Sequence, residues 1–482
     1  MLNKRMKNLK YRSLTAVLVT AEIAASSFLM GADYADNGNF VPKNAAGTGL
    51  TSYRIAQTVK KMPLHEKVCQ MFVVRPEELT GGADYKSATA ATRDCLKEYP
   101  VGGLVYTSLN LSSQTQVRQL ISDTAGYAEE NGCNPLFYCV DEEGGNVARC
   151  AYSVHTTAFS PMYNYKNMGT VRAYANARTI GGDIGSLGFN VDFAPVADVW
   201  SNKQNTVIGT RAYSDSFTQA AELLGQAVKG FRDSGVYCTL KHFPGHGDTV
   251  EDSHDGMAVA HKPADEIRAN EYLPFESGIK AGAEFVMVGH ITVPAMDTLP
   301  ASLSEKIVTG ELREKLGFDG IIITDALGMG AIINEYGSGE AAVMAVEAGN
   351  DILLSPQNLP EAVSCIEEAV KSGRIPESRI DESVERILSV KSRKMKIKLE
   401  SLTGDVNDDG KIDARDASAV LAEYAGTSAG KAESFSEIQK KAADVNGDGK
   451  VDSRDASAIL MYYAKSSAGS DIMPDEFFGR DK

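Results

Sequence analysis

The chain has 482 residues, which is enough for one large domain and a smaller second one. Its 43% hydrophobic and 23% charged residues are typical of a soluble globular protein, and a formal net charge of −15 argues against nucleic acid or an anionic membrane surface as a partner. The seven cysteines are odd in number and scattered between Cys69 and Cys365, so they do not indicate a disulfide framework.

The N-terminus has the pattern of an export signal. A basic segment from Lys4 to Arg12 precedes a largely apolar run from Leu14 to Met30, and a polar stretch with small residues follows. Glu22 interrupts the apolar run, which argues against a stable membrane span. The alternative is a cytosolic tail that is basic and then apolar. We predict a signal peptide over residues 1–32 and a linker over 33–50, and therefore a secreted, extracellular protein.

From residue 51 to 398, short apolar runs alternate with longer helical patterns. The apolar runs are 71–74, 102–107, 135–141, 189–199, 236–243, 284–290, 320–326 and 351–356. Strands that alternate with helices imply a parallel sheet, and eight repeats favour a closed (β/α)₈ TIM barrel. An open dinucleotide-binding sheet is the alternative, but no GxGxxG follows the first run. The predicted fold class of this segment is therefore α/β, a (β/α)₈ barrel.

Polar residues follow a consistent pattern along these runs. One set stands at the C-terminal ends of the predicted strands: Asp141, Lys241, His242, His290 and Asp325. In a parallel barrel the C-terminal ends of the strands form the face that carries active sites. These residues therefore predict a site at that face.

Asp325 follows four apolar residues, so it is expected to project from a buried strand into the barrel mouth. An aspartate fixed there can act as a nucleophile toward a glycosidic carbon or as a metal ligand, and the alternative is a helix cap. Asp252 and His254 are one residue apart on a loop, where the carboxylate can orient the imidazole as a general acid/base.

Metal binding is a competing interpretation of the same loop. His242, His246, Asp248 and His254 are donor types that zinc accepts. Proline and glycine separate His242 from His246, so the two do not share a helix face as in HExxH. From these residues alone, a metal site, a glycosidase pair and ordinary loop histidines all stay open.

The motifs together carry a family resemblance. KHFPGHGDT…DSH, with DEEGG upstream and ITDALGM downstream, resembles glycoside hydrolase family 3, in its β-N-acetylglucosaminidase (β-hexosaminidase) branch, over residues 61–394. The resemblance implies a retaining double displacement without a catalytic metal, with Asp325 as nucleophile, His254 as acid/base and Asp252 as its partner. It also implies a sugar-binding set: Asp141, Arg149, Arg211, Lys241 and His242. His246 and Asp248 are expected to order the loop.

One feature of the chain supports this branch, and another departs from the family pattern. In many family 3 β-glucosidases the acid/base comes from a further α/β domain after the barrel. Here a different, repeated pattern begins shortly after residue 398 and leaves no room for such a domain, so the barrel's own loops must supply the acid/base. Glu142, Asn146 and Ser214 replace residues more common in the family, which leaves the outer subsite and the exact sugar preference open.

After residue 398 a twelve-residue pattern occurs twice. DVNDDGKIDARD (405–416) recurs as DVNGDGKVDSRD (444–455), with oxygen donors at positions 1, 3, 5, 9 and 12 and a glycine at position 6. This is the geometry of an EF-hand calcium loop, in which position 7 contributes its backbone carbonyl. The predicted calcium ligands are Asp405, Asn407, Asp409, Lys411, Asp413 and Asp416, and Asp444, Asn446, Asp448, Lys450, Asp452 and Asp455.

Position 12 is Asp rather than Glu, and no helical pattern precedes the first loop. Two such loop–helix halves resemble a type I dockerin over residues 403–466, a small all-α module, followed by a C-terminal tail at 467–482. The resemblance implies two structural calcium ions and a cohesin domain of an extracellular scaffold (a cellulosome) as partner. It also implies that positions 10 and 11 face the cohesin: Ala414, Arg415, Ser453 and Arg454. The near two-fold repeat would permit two binding orientations.

The sequence thus predicts a scaffold-attached, exo-acting β-N-acetylhexosaminidase that acts on N-acetylglucosamine-containing oligosaccharides. The alternatives are a β-glucosidase or β-xylosidase, an N-acetylglucosaminide phosphorylase, and a non-catalytic carbohydrate-binding scaffold component. Chitooligosaccharides, N-glycan fragments and muropeptides all stay open as natural substrates.

Overall fold

A computed structural model describes residues 45–82, 86–249 and 258–480 of the chain. Residues Gly49–Lys482 form one compact unit. The predicted signal peptide and the pair Asp252 and His254 lie outside the described residues. Within the described ranges, no helix is both long and apolar enough to cross a bilayer.

Eight parallel strands close into a barrel in chain order, as the sequence predicts. They are β1 (Phe72–Val74), β2 (Gly103–Tyr106), β3 (Phe137–Val140), β4 (Val191–Asp192), β5 (Tyr237–Phe243), β6 (Phe285–Val288), β7 (Ile321–Ala326) and β8 (Ile352–Leu354). Each strand lies within one of the eight apolar runs. Because helices cover the barrel's outer face, both faces of each strand are buried, which explains continuous apolar runs rather than alternation.

Helices connect successive strands and cover the barrel. They are Pro76–Thr80, Ala90–Glu98, Gln114–Glu130, Arg149–Val154, Tyr165–Met168, Thr170–Leu187, Phe217–Ser234, Ala264–Ala269, Tyr272–Ala281, Lys306–Lys315 (a π-helix), Gly330–Tyr336, Ser338–Ala348, Leu359–Lys371 and Glu377–Ser392. Helices Ala45–Lys61 and Leu64–Gln70 precede the first strand. The first of them begins inside the segment that the sequence predicted as a linker.

Aromatic side chains close the floor of the barrel. The Phe137 ring lies 5.3 Å from that of Phe285 and 6.1 Å from that of Tyr237, and all three residues are buried. They stand at the beginnings of β3, β5 and β6. The opposite end, where these strands finish, is therefore the end that can accept a ligand.

Two strands are irregular near their C-terminal ends. The register of β5 against β6 shifts between Leu240 and Phe243, and that of β7 against β8 shifts between Ile323 and Ala326. Lys241, His242 and Asp325 lie inside these shifts. Irregular pairing of this kind changes where side chains point and is frequent next to active sites.

Residues after the barrel form a small helical module, as predicted. Its helices are Ala414–Ser428, Glu437–Ala443, Ser453–Ser467 and Pro474–Phe478. The two long helices pack around a core that includes Val420, Ile459 and Tyr462. The last helix falls in the segment predicted as a tail, and its Phe477 and Phe478 rings lie 5.4 and 5.6 Å from the Tyr462 ring. All seven cysteines of the chain are free thiols.

Candidate active site

A cavity of about 360 Å³ opens at the C-terminal ends of the barrel strands. Six of the predicted site residues line it: Asp141, Arg149, Arg211, Lys241, His242 and Asp325. The structure thus brings together residues that are up to 184 positions apart in the sequence, as the numbers 141 and 325 show. His246, which was expected only to order the loop, also lines the cavity.

Asp325 lies near the end of β7, with its carboxylate accepting the backbone N–H of Ala326 at 2.8 Å. Burial alone would raise the pKa of Asp325, but the neighbouring His242 and His290, together with this N–H and Lys241, lower it below the ordinary value. The carboxylate is therefore held ionised, which is the form that attacks carbon.

His290 packs beneath the Asp325 segment. Its Nε2 lies 2.9 Å from the carbonyl oxygen of Ala326, and its Nδ1 lies 2.7 Å from the hydroxyl of Ser302. Because a carbonyl only accepts hydrogen bonds, Nε2 carries the proton and donates. His290 thus fixes the backbone that carries Asp325, although it does not line the cavity.

Lys241 and Arg211 are joined by a shared carboxylate that sequence reasoning missed, Glu143. The Glu143 carboxylate accepts from Arg211 Nε at 2.9 Å and Nη2 at 2.7 Å, and from Lys241 Nζ at 2.7 Å. Lys241 Nζ also donates to Asp141 at 2.6 Å. The result is a buried chain of alternating charges along one wall of the cavity.

The charges in this wall reinforce one another. Burial would raise the pKa of Glu143, but Arg211 and Lys241 bring it well below its usual range. Burial would likewise lower the pKa of Lys241, and Asp141 and Glu143 raise it instead. Each group therefore keeps its charge, and charge-assisted hydrogen bonds to a polar ligand become available on this wall.

A second missed carboxylate, Asp198, organises the histidines. It is fully buried just after β4, and its oxygens accept from His242 Nδ1 at 2.7 Å, His242 N at 3.0 Å and His246 N at 2.6 Å. Burial would raise the pKa of Asp198, but His242 and His246 lower it. Because the ionised carboxylate accepts a hydrogen bond from the Nδ1–H of His242, the Nε2 atom of His242 is left for other partners.

The loop that carries Asp252 and His254 is fixed on both sides of its undescribed part, residues 250–257. Before it, His246 Nδ1 lies 2.7 Å from the Thr249 hydroxyl, and Asn205 donates to the His246 carbonyl at 2.7 Å. After it, the short strand Ala258–Val259 pairs with Ile291–Thr292, directly beyond His290. Asp248 contributes through an ion pair with Lys262 at 3.4 Å. Both ends of the loop are therefore held next to residues of the site.

The residues that depart from the family pattern lie away from the cavity wall. Glu142 accepts the N–H groups of Cys150 and Ala151 at 2.6 and 3.0 Å, at the start of helix Arg149–Val154. Asn146 donates to Thr210, and the Ser214 hydroxyl donates to Gln219. None of the three is among the described residues that line the cavity.

Glu143 was visible in the sequence as the third residue of DEEGG, and Asp198 as the acid at the end of the 189–199 run. Glu143 is followed directly by two glycines, and Asp198 lies in a largely apolar run. A buried charge needs a partner, so this pattern is a signal from which an ion pair at each position could have been inferred. The identity of that partner required the folded structure.

The two repeated loops of the C-terminal module have a donor set that fits calcium. In each loop the first aspartate (Asp405, Asp444) accepts the N–H of the glycine at position 6 at 3.0 Å. The aspartates at position 12, Asp416 and Asp455, are fully buried. Gly410 has a φ of 80°, a conformation that favours glycine, as the sharp turn of such a loop requires.

Comparison with known proteins agrees with this geometry. Residues 63–390 match the glycosyl hydrolase family 3 N terminal domain, and residues 403–462 match the dockerin type I domain. The chain therefore belongs to glycoside hydrolase family 3, and its C-terminal module is a type I dockerin, a class that generally binds calcium.

Individual relatives point to one branch of the family. Beta-hexosaminidase A from Pseudoalteromonas piscicida is 32% identical over 326 residues, which are 62% of this chain and 54% of the relative. Beta-hexosaminidase LpqI from Mycobacterium tuberculosis is 33% identical over 335 residues, 68% of this chain and 82% of the relative. The chain thus spans about half the length of the first of these relatives.

Among solved structures, a family 3 beta-N-acetylglucosaminidase from Paenibacillus sp. str. FPU-7 is 38% identical, with a TM-score of 0.65. The similarity covers 69% of this chain and 63% of that one.

Proposed function

We propose that the protein is a retaining, exo-acting β-N-acetylhexosaminidase that removes terminal N-acetylglucosamine from oligosaccharides. The observation that carries the proposal is the ionised Asp325 carboxylate in a cavity whose wall holds Asp141, Lys241 and Arg211. Its volume of about 360 Å³ lies at the small end of ligand sites, which suits a single terminal sugar. The similar β-hexosaminidases support the choice of sugar.

In the proposed mechanism, Asp325 Oδ attacks the anomeric carbon while His254 gives a proton to the glycosidic oxygen, and the bond from that carbon to the leaving group breaks. A covalent glycosyl–aspartate intermediate results. His254 then takes a proton from a water molecule that attacks the same carbon, which releases the sugar and regenerates both groups. Asp252 orients the imidazole throughout.

The residues of the cavity wall have a different role in this proposal. Asp141, Arg149, Lys241 and His242 hold sugar hydroxyls, with Arg211 joining them through Glu143. Among the described residues, the Arg149 side chain makes no ion pair, so its guanidinium is available to a ligand oxygen. Charged donors and acceptors that are already held in place reduce the ordering that substrate binding requires.

Replacement of the nucleophile tests this mechanism. Asp325→Ala should reduce turnover of an aryl N-acetyl-β-glucosaminide by several orders of magnitude without loss of folding. Asp319→Ala is the matched control, because Asp319 is an exposed aspartate just before the same strand. Unchanged turnover in Asp325→Ala would refute the assignment.

The stereochemistry and the second product separate the retaining hydrolase from its rivals. Proton NMR at early times should show β-N-acetylglucosamine first, and the α-anomer as first product would mean inversion. Reaction in phosphate buffer should still release free sugar, whereas a sugar 1-phosphate as main product would make the protein a phosphorylase. A panel of aryl N-acetylglucosaminide, glucoside and xyloside compares the sugar specificities directly.

His254 is tested by the leaving group. His254→Ala should slow substrates whose leaving groups have a high pKa far more than activated aryl glycosides, since only the former need a proton. An equal loss across the series would count against the acid role.

We further propose that the protein is exported and attached to an extracellular cohesin scaffold through the dockerin. Two calcium ions would be held by the ligands of the repeated loops, with the carbonyl groups of Lys411 and Lys450 at position 7. Calcium supplies a rigid centre for each acidic loop. Chelation with EGTA should abolish cohesin binding and leave turnover of an aryl glycoside unchanged, and cohesin binding that survives EGTA would contradict the proposal.

A further inference from the structure

The dockerin contacts a helix that belongs to neither matched domain. Helix Ala45–Lys61 precedes the family 3 match, which begins at residue 63, and lies far from the dockerin match at 403–462. Leu50 of this helix nevertheless packs in the dockerin core with Leu402, Val406 and Tyr462. The helix therefore contributes an apolar side chain to the dockerin core from outside the dockerin segment.

Arg54 makes the polar part of this contact. Its side chain is buried, with Nη2 donating to Asp408 at 2.7 Å and Nε donating to the carbonyl of Glu400 at 3.0 Å. Nη1 lies 3.7 Å from a carboxylate oxygen of Asp405, the first residue of the first calcium loop. One buried guanidinium thus joins the N-terminal helix, the connecting segment and the loop.

Further hydrogen bonds join the N-terminal helix and the connecting segment to each other and to the last helix of the module. The Tyr53 hydroxyl donates to Asp475 at 2.6 Å, and the Thr403 hydroxyl donates to the other oxygen of Asp475 at 2.9 Å. The Glu400 N–H donates to Thr58 at 2.9 Å. The connecting segment between barrel and dockerin is therefore bonded on both sides and is not a free tether.

The two dockerin repeats differ at the position that Arg54 uses. Asp408 is the fourth residue of the first loop, and the second loop has Gly447 there. Both residues have positive φ, 52° for Asp408 and 74° for Gly447, a conformation that glycine adopts without steric cost. In the second repeat the corresponding arginine is Arg480, which lies 3.9 Å from Asp444 and comes from the chain's C-terminal end. Of the two loops, as far as the described residues show, only the first forms an ion pair with helix Ala45–Lys61.

We propose that helix Ala45–Lys61 is a docking surface that holds the dockerin against the catalytic barrel, with Arg54 tying this docking to the ordered, calcium-bound first loop. Asp408 is the receiving residue, and it is not a predicted calcium ligand. The dockerin therefore has one fixed orientation relative to the barrel while calcium is bound. Release of calcium from the first loop loosens the helix as well, because Arg54 of the helix contacts Asp405 and Asp408 of that loop.

Hydrogen–deuterium exchange on the full chain tests the docking surface. With calcium present, Arg54→Met should speed exchange of amides in residues 49–61 and 399–413 at least about tenfold, since the buried guanidinium loses its hydrogen bonds to Asp408 and to the Glu400 carbonyl. The second loop, 444–455, should not change. Lys61→Met is the matched control, because Lys61 lies on the same helix as Arg54 but its ion pair with Glu400 is exposed. An Arg54→Met effect no larger than that of Lys61→Met would overturn the docking surface.

The partner residue allows a stricter comparison. Asp408→Gly gives the first loop the residue that the second already carries, so the loop keeps its calcium ligands. It should speed exchange in the same residues, but less than Arg54→Met does, because the Arg54 bond to the Glu400 carbonyl remains. The double variant should add nothing to the effect of Arg54→Met, because the Arg54–Asp408 contact is already lost there. Additive effects of the two substitutions would contradict a shared contact.

Calcium removal tests the coupling. EGTA should speed exchange in residues 49–61, although this helix contains no calcium ligand. Faster exchange in both loops with an unchanged helix would overturn the coupling. Unchanged exchange in both loops would overturn calcium binding itself and therefore the coupling, whereas the comparison of Arg54→Met with Lys61→Met would still decide the docking.

Discussion

Glu143→Gln is the substitution that most directly tests how the cavity wall works. The Glu143 carboxylate is the common counter-ion of Arg211 and Lys241 and is almost completely buried. Glutamine has the shape of glutamate, and its side-chain oxygen can keep the hydrogen bonds that one carboxylate oxygen accepts. Its amide NH2 group replaces the other oxygen and would face an N–H of a cation, from which it cannot accept a hydrogen bond. The two cations then lose a full negative charge between them.

The magnitude follows from the burial. Removal of one partner from a buried ion pair costs about 3–5 kcal/mol, because the remaining charge stays desolvated. If most of that free energy is expressed where Lys241 and Arg211 meet the sugar, kcat/KM should fall by about 10²–10³-fold. Steady-state kinetics on an aryl N-acetyl-β-glucosaminide, with thermal unfolding in parallel, measures both effects.

The pH profile separates positioning from simple loss of structure. Asp141 and Glu143 raise the pKa of Lys241. Without Glu143, Lys241 should lose its proton at a lower pH, so the alkaline limb of the activity profile should shift to lower pH. Glu142→Gln is the matched control, since Glu142 is the adjacent buried carboxylate but contacts helix N–H groups instead of cations. A kcat/KM for Glu143→Gln within threefold of the wild type, with an unshifted alkaline limb, would refute the reasoning.

Three further substitutions act on stability. Burial raises the pKa of Glu142 to about 7, so its contribution to the free energy of unfolding is present below about pH 4.5 and is lost as pH rises to about 7. Urea unfolding should therefore show that the wild type loses about 1–3 kcal/mol of stability between pH 5 and 8. Glu142→Gln should retain this stability. Burial lowers the pKa of Lys391 to about 7, so Lys391→Met should gain about 2–4 kcal/mol at pH 7, and the difference should shrink toward pH 10 as the unfolded lysine also loses its proton. A less stable Lys391→Met at pH 7 would contradict this. Asp351 is fully buried, accepts from Arg313 at 2.6 Å and from Ser383 at 2.9 Å, and lies just before β8, at the end of the barrel opposite to the cavity. Asp351→Ala should therefore lower the free energy of unfolding by about 3–5 kcal/mol and leave KM unchanged, and a raised KM would place it nearer the site than the structure does.

The barrel could be predicted because its signal is local. Each buried strand appears as a short apolar run, and the polar residue that follows marks its C-terminal end. Asp141, Lys241 and Asp325 were therefore assigned to one face without any knowledge of contacts. The calcium loops were equally accessible, since all their ligands lie within twelve consecutive residues.

The partners of buried charges could not be predicted in this way. Asp198 accepts hydrogen bonds from His242 and His246, and it lies in the segment after β4, 44 and 48 residues earlier in the chain. Glu143 meets Arg211 across 68 residues. These pairings depend on the register shifts of β5 and on loop paths, which no local periodicity encodes. Arg54 was missed for the same reason, because its partners lie beyond the whole barrel.

The site divides its chemistry between two kinds of support. Among the proposed sugar-holding groups, Lys241 and His242 stand on β5, and each is bonded to a buried carboxylate, so Glu143 and Asp198 would contribute both to binding and to stability. The proposed proton-transfer group, His254, lies instead outside the described residues, between two flanking segments that are bonded to the barrel. Substitutions of Glu143 or Asp198 should therefore lower stability and kcat/KM together. Substitution of His254 should lower kcat for leaving groups of high pKa, because these need a proton from the imidazole.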